Sequence, residues 1–280
     1  MEFNIEEKRE GKLDREKLAS ILTEVRKQGY VVLKNVFSRT KIEQLNANLT
    51  RDYSDYFESK DHEDALKVGS KRFVVTIDVK DDFNAPEIYC NPLILEILSH
   101  LLEPDFVISD LTCVLSLPGS KKMRAHRDGA IYYNSPVRTL LPPFAIGLLI
   151  PLVSFNEFNG TTRLWPGSHF GKTTVQEVAQ SPDFIDVNID SGSCILMDHR
   201  LCHSGNPNYS QTVRPLLYCN YCNPWYLDNG NFKKQAYFYL SDEELIKIPE
   251  RHRKIFVRRN IDLSSTYKIL NQVGGKIEKE

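Results

Sequence analysis

Residues 145–167 read AIGLLIPLVSFNEFNGTTRLWPG, and this stretch decides the fold class. An apolar run from Ala145 to Val153 is followed by the turn pair Asn159-Gly160. A second β-like run, Thr162 to Trp165, leads into Pro166-Gly167. Pro fixes φ and Gly tolerates positive φ, so such pairs punctuate strands rather than helices. The same grammar extends outward in both directions. Runs at Phe106 to Ser109, Cys113 to Leu117, Ile185 to Ile189, Cys194 to Met197 and Arg214 to Asn220 alternate with Pro118-Gly119 and Ser191-Gly192. Short strands with regular turns and no helices between them predict an antiparallel barrel or jelly roll.

Upstream the periodicity changes. Leu18, Ile21, Leu22 and Val25 recur at helical spacing and predict a helix over Leu13 to Gln28, ended by Gly29. Tyr30 to Leu33 reads as a strand, and Ser38 caps a second helix that runs to about Tyr53. The charged stretch Ser59 to Lys71 reads as a solvated helix or loop. No repeat, low-complexity tract or linker divides the chain. The expectation is one domain over residues 1–280: a helical part over about 13–100, a jelly-roll core over about 105–224, and a lid with a C-terminal extension over 221–280.

Composition narrows the partners. Lys plus Arg number 36 and Asp plus Glu 37 in 280 residues, so no global field draws nucleic acid or an anionic membrane. A small-molecule substrate is the expected partner, and the sequence sets no oligomeric state. Of the six cysteines, Cys90, Cys113, Cys194, Cys202, Cys219 and Cys222, the CNYC spacing of the last two lacks a second pair to complete a zinc site. Reduced, buried thiols are expected. The opening MEFNIEEKRE has no apolar signal core, and the longest apolar run, around Phe144 to Val153, is too short to span a bilayer. These features predict a cytoplasmic protein.

The chemistry centres on Arg124-Ala125-His126-Arg127-Asp128. In extended backbone, residues i and i+2 project from one face with Cα atoms roughly 6.5–7 Å apart. One imidazole and one carboxylate can then converge on one ion. A second His from a distant strand would complete a two-His-one-carboxylate face with three positions open, the arrangement suited to non-haem iron(II). His-x-Asp alone has little specificity, and His62-Glu63-Asp64 repeats it within a highly charged stretch that reads as surface. The wider pattern separates the two. Asn159-Gly160 leads to Pro166-Gly167-Ser168-His169. Further on, Ser191-Gly192 opens the run to His203, followed by Ser204-Gly205-Asn206-Pro207 and then Arg214-Pro215.

Taken together, these segments resemble the phytanoyl-CoA dioxygenase family of iron(II)/2-oxoglutarate oxygenases over about Gly29 to Pro224. A Pro-Gly turn before the His-x-Asp, an Asn-Gly strand ending in Pro-Gly-Ser-His, and an Arg eleven residues beyond the distal His occur in the family's order. The resemblance implies a mainly β fold with flanking helices, built on a double-stranded β-helix (jelly roll, cupin-like) core. It implies His126, Asp128 and His203 as ligands of Fe(II), with 2-oxoglutarate and O2 as co-substrates. Arg214 would bind the distal 2-oxoglutarate carboxylate, because a guanidinium grips a carboxylate through two parallel hydrogen bonds. On a strand Arg214 shares its face with Leu216, Tyr218 and Asn220. Thr162 is a further co-substrate contact.

The sequence departs from the family twice. Arg127 stands where relatives often carry Gln, and Gly205 where many carry Ser. His199 is expected to support the metal ligands or to be structural, since His199 to His203 lacks the Glu of a helical zinc motif. His169 is expected to order a loop. Tyr132, Tyr133 and Asn134, which follow Asp128 closely, and Trp225 are expected against substrate, and Tyr221 to Tyr239, with Trp225, Tyr226, Phe232, Tyr237, Phe238 and Tyr239, is expected to form a lid over the substrate mouth. The basic cluster Arg251, Arg253, Lys254, Arg258 and Arg259 reads as a solvated helix face. Two other classes remain open: a cupin-like metalloenzyme independent of 2-oxoglutarate, and a non-catalytic binding protein on the same barrel.

Overall fold

A computed structural model describes residues 1–58, 60–129, 141–170, 173–228 and 236–261. The helix Arg15–Gln28 starts where the Asp14 side chain accepts from the backbone N–H groups of Glu16 and Lys17. A cap of this kind contributes about 1 kcal/mol. The helix stops at Gly29, whose φ of 85° suits glycine, and a Cβ there would lie 2.6 Å from His169 Nδ1. The helix Arg39–Asp52 follows Ser38 as expected, although the Ser38 side chain makes no capping bond.

Ten strands are present among the described residues: β1 (Tyr30–Leu33), β2 (Leu66–Gly69), β3 (Arg72–Thr76), β4 (Val107–Ser116), β5 (Ala145–Pro151), β6 (Thr162–Leu164), β7 (Ile185–Val187), β8 (Cys194–Asp198), β9 (His203–Gly205) and β10 (Arg214–Cys222). Seven make one antiparallel sheet in the order β1-β8-β5-β10-β4-β3-β2, and β7-β6-β9 make a second. The two sheets face each other: Leu149, Ile195 and Leu216 of the larger pack with Leu164 and Val187 of the smaller. This is the expected jelly roll.

Alternation along the strands divides the larger sheet into two faces. Ile146, Leu148 and Ile150 of β5, Leu111, Cys113 and Leu115 of β4, and Leu217, Cys219 and Tyr221 of β10 enter the main core. Ile21, Leu45 and Ile94 of the N-terminal helices enter it from the other side. The intervening positions, among them Asp110, Thr112, Arg214, Tyr218 and Asn220, face a cavity between the sheets. Parity thus places the polar residues on the functional side.

The structure corrects several expectations. The charged stretch before residue 72 contains strand β2, which pairs with β3. The two runs around residues 106–117 form a single strand, β4. The short helix Val175–Gln180 interrupts the β region. Within the expected lid, Tyr226, Tyr237 and Phe238 are buried, and Tyr237 and Phe238 join the main core, while Phe232 lies outside the described residues. Arg258 is also buried, donating to Cys222 Sγ at 3.2 Å and to the Pro224 carbonyl at 2.7 Å, so it pins the C-terminal segment instead of facing solvent. All six thiols are free and buried, and among the described residues no helix is long and apolar enough to cross a membrane.

Candidate metal and co-substrate site

An isolated antiparallel bridge joins His126 to His203. The His126 N–H donates to the His203 carbonyl at 3.0 Å and the His203 N–H returns the bond at 2.9 Å. This reciprocal pair sets the two imidazoles side by side, with ring centroids 4.2 Å apart. Asp128, two residues on, brings Oδ1 to 3.4 Å from His126 Nε2 and 3.5 Å from His203 Nε2. One ligand atom from each of the three residues lies within 4.8 Å of the others.

The tautomers follow from the backbone. His126 Nδ1 lies 3.1 Å from the Arg124 carbonyl, and His203 Nδ1 lies 3.1 Å from that of Leu201. A carbonyl only accepts, so each Nδ1 carries the proton and each Nε2 keeps a lone pair aimed at the shared point. Burial alone would raise the Asp128 carboxyl, but His203 and His126 hold it well below the usual carboxylate range. Burial pushes His203 down to about 4, against the pull of Asp128. An anionic carboxylate and two imidazole lone pairs form a donor set that fits a divalent cation with N/O preference.

The cavity beside this triad has a volume of about 260 Å³ and is lined by all three residues and by Arg214, Thr162, Leu216, Tyr218 and Asn220. Arg214 is 1% exposed. Its Nη1 donates to the Gly160 carbonyl at 3.1 Å and its Nη2 to Ser116 Oγ at 2.9 Å, while Nε is buried without a partner. Sequence reasoning missed a second buried guanidinium, Arg72 on β3. It is also 1% exposed and donates to the Asn206 carbonyl at 2.8 Å, again with Nε unpartnered.

Among the described residues no carboxylate forms a salt bridge with either arginine. Burial, and then the like charge of Arg72, pushes Arg214 down to about 9, and burial lowers Arg72 to about 10. A guanidinium keeps its proton in such sites, so these directions record a missing counter-charge. That deficit fits a bound dicarboxylate.

Gly205 makes room for Arg72. A Cβ at residue 205 would lie 1.6 Å from Arg72 Nη1, so the space a side chain would take there is occupied by the arginine.

Against this geometry the phytanoyl-CoA dioxygenase (PhyH) family model matches residues 25–216. The chain belongs to that family. It is 27% identical over 196 residues to the dioxygenase trt7 of Aspergillus terreus, covering 68% of each chain. It is 30% identical to the iron/alpha-ketoglutarate-dependent dioxygenase ausU of Aspergillus calidoustus over 107 residues, which span 36% of this chain and 34% of that one. Among solved structures, the epimerase SnoN in complex with Fe3+, alpha ketoglutarate and nogalamycin RO aligns with a TM-score of 0.59 at 19% identity, covering 78% of this chain and 88% of that one. This family member is an iron- and 2-oxoglutarate-dependent dioxygenase.

Other expected positions in the dioxygenase fall as follows. Thr162 is buried in the cavity wall. Tyr132, Tyr133 and Asn134 lie outside the described residues. Trp225 is 64% exposed, with its ring 5.9 Å from that of Phe144, and does not line the cavity. His169 orders the loop as expected, with Nε2 3.0 Å from the Arg26 carbonyl. Arg127 donates to the carbonyls of Arg200 and Ser168 at 2.9 and 3.1 Å. His62 and Asp64 stand apart from the triad; Asp64 accepts from Tyr56 Oη.

Proposed function

We propose that this chain uses Fe(II), 2-oxoglutarate and O2 to hydroxylate a small organic molecule, releasing succinate and carbon dioxide, and that one domain carries the whole activity. His126, Asp128 and His203 are the residues that hold the iron, and Arg214 is the residue that holds the far carboxylate of 2-oxoglutarate. The observation that carries this reading is a buried guanidinium with an orphaned Nε and no acidic partner among the described residues, in the same cavity as the triad. Bound iron supplies O2 activation coupled to oxidative decarboxylation of the co-substrate.

The protein's own contribution is positional. The Nδ1–H bonds to the carbonyls of Arg124 and Leu201 stop the imidazoles from turning, so both Nε2 atoms stay aimed inward. Arg214, gripped by Gly160 and Ser116, offers a fixed fork to an incoming carboxylate. Arg72 adds a second positive charge on the same side, and Thr162 lines the wall between. Leu216, Val114 and Val74 keep water from that end of the cavity. The Asp128 carboxylate fills the position that a halogenating relative would leave to chloride, so hydroxylation is the default outcome.

Anaerobic protein with Fe(II) and 2-oxoglutarate is expected to develop a weak visible charge-transfer band that disappears in His126→Ala and His203→Ala. Oxidation of a substrate without 2-oxoglutarate and without the band would favour a cupin-like enzyme instead.

A further inference from the structure

Away from the arginines, four adjacent strands bring a polar row across the larger sheet. Asp110 of β4 sits opposite Asn220 of β10, Asn220 sits opposite Gly147 of β5, and His199 follows directly on β8, next to β5. Asn220 Nδ2 donates to Asp110 Oδ1 at 2.8 Å, which leaves Asn220 Oδ1 buried with no partner. His199 is 3% exposed and neither of its ring nitrogens has a partner. Asn220 is 8% exposed, and Asp110, Asn220 and His199 all line the cavity that holds the triad.

Gly147 makes the row possible. Its backbone does not lie in the left-handed region, so no conformational demand calls for glycine there. The demand is for space: a Cβ would fall 2.9 Å from Asn220 Oδ1 and 3.7 Å from His199 Nε2. The missing side chain lets an acceptor and an imidazole approach one point. Leaving such groups buried and unpaired is costly, and a ligand that bonds them recovers that cost.

This side carries acids where the other end carries arginines. Asp110 and Asp228 line this side, and burial, then Asp228, pushes the Asp110 carboxyl up to about 8. A dicarboxylate is attracted to Arg72 and Arg214 at the other end, so this side is left for a different molecule.

We propose that Asp110, Asn220 and His199 form the docking subsite for a hydrogen-bond-donating group, a hydroxyl or a protonated amine, of the molecule that is oxidised. The inference rests on reading the cavity as the oxygenase site, and it restricts the substrate to hydroxyl- or amine-bearing small molecules. A hydroxyl satisfies the site by donating to Asn220 Oδ1 while accepting from an imidazole N–H. An ammonium donates to Asn220 Oδ1 and to a carboxylate at Asp110.

Three ligands of nearly one shape test this: cyclohexanol, cyclohexylamine and methoxycyclohexane, the last with an oxygen but no donor. Binding is followed by saturation-transfer NMR on the full chain, held anaerobically with Fe(II) and 2-oxoglutarate. At least one donor ligand is expected to bind about tenfold tighter than the ether, the scale of one added hydrogen bond to a buried unpaired group. Asn220→Leu should abolish that preference. Gly147→Ala, which crowds the Asn220 oxygen with a single methyl, should abolish it too and guards against misfolding of the first variant.

A wild-type amine preference that is lost in Asp110→Asn identifies the ammonium arm, and a wild-type alcohol preference that survives in Asp110→Asn identifies the hydroxyl arm. The charge-transfer band, recorded on the same samples, reports whether iron and 2-oxoglutarate are held. A wild type without the band sinks the oxygenase reading, whereas a wild type with the band but no donor preference overturns this one. A preference that survives in a band-retaining Asn220→Leu or Gly147→Ala protein also overturns it.

Discussion

At one end of the cavity Arg72 and Arg214 are buried with unpartnered Nε atoms; at the other, Asn220 and His199 are buried with orphaned atoms of their own, beside Asp110. Both ends are carried by the same sheet, and β10 contributes to each through Arg214 and Asn220. What differs is the kind of polar group and the way room is made for it. Gly205 yields space to the Arg72 guanidinium, and Gly147 yields space to the Asn220 amide. Two buried cations at one end of the cavity draw an anionic co-substrate there before any contact with the second substrate is made.

The largest expected effect comes from removing what lies between the ends. Asp128→Ala should lose Fe(II) binding and bring succinate release below detection, and Asp128→Glu should impair both by misplacing the carboxylate. Isothermal titration with Fe(II) under anaerobic conditions, paired with a succinate assay, checks it; unchanged turnover in Asp128→Ala would remove that residue from the metal site.

Next comes the cation end. Breaking a buried charge pair by removing one partner costs ~3–5 kcal/mol. Arg214→Ala should therefore raise the half-saturating 2-oxoglutarate concentration on the order of 10²–10³-fold. Arg214→Lys keeps the charge but not the fork and should fall between. Equal half-saturation in wild type and Arg214→Ala would make the two ends functionally alike and break the comparison.

A smaller effect is expected at Arg72. Arg72→Met retains much of the packing and loses one charge, so 2-oxoglutarate half-saturation should rise on the order of tenfold, less than at Arg214. Equality of the two arginine variants would show that the fork of Arg214 carries no special weight.

The acid end is read in stability instead of in co-substrate affinity. Folding raises the Asp110 pKa from its ordinary 3.8 to about 8, so the folded chain keeps a proton that the unfolded chain releases. The unfolded state then binds fewer protons between those values, and stability falls as pH rises through that window. Asp110→Asn should flatten this decline by about 1–3 kcal/mol between pH 5 and pH 8, measured by urea unfolding at both values. An identical slope in the variant would show that Asp110 is not held protonated.

The two ends were not equally legible in the sequence. Arg214 stood out because its interval from His203 is part of a pattern, and its strand face was readable from alternation through Leu216, Tyr218 and Asn220. Asp110 fell between two apolar runs that are in fact one strand, so its inward position was hidden. Arg72 was hidden by its surroundings: the charges of residues 60–71 mask a strand whose signal, Arg72-Phe73-Val74-Val75-Thr76, alternates with period two. A buried arginine reads as a surface residue until the cavity it faces is known. The strand carrying His203 is three residues long, too short for any periodicity, yet its pairing sets the metal face. The Asn159-Gly160 pair was legible as a turn but not as the source of the carbonyl that holds Arg214. The aromatics after residue 221 suggested a mobile cover, and burial of Tyr237 and Phe238 shows that hydrophobicity there serves the core.

The bridge between His126 and His203 has one more consequence. Each histidine's amide hydrogen is held by the other's carbonyl, across 76 residues of intervening chain. Neither proton can exchange with solvent unless the shared bridge opens, and a single opening exposes both. The two amides therefore act as a matched pair of clocks in hydrogen–deuterium exchange, keeping the same time with or without a metal bound and falling out of step only if the two strands come apart by separate routes.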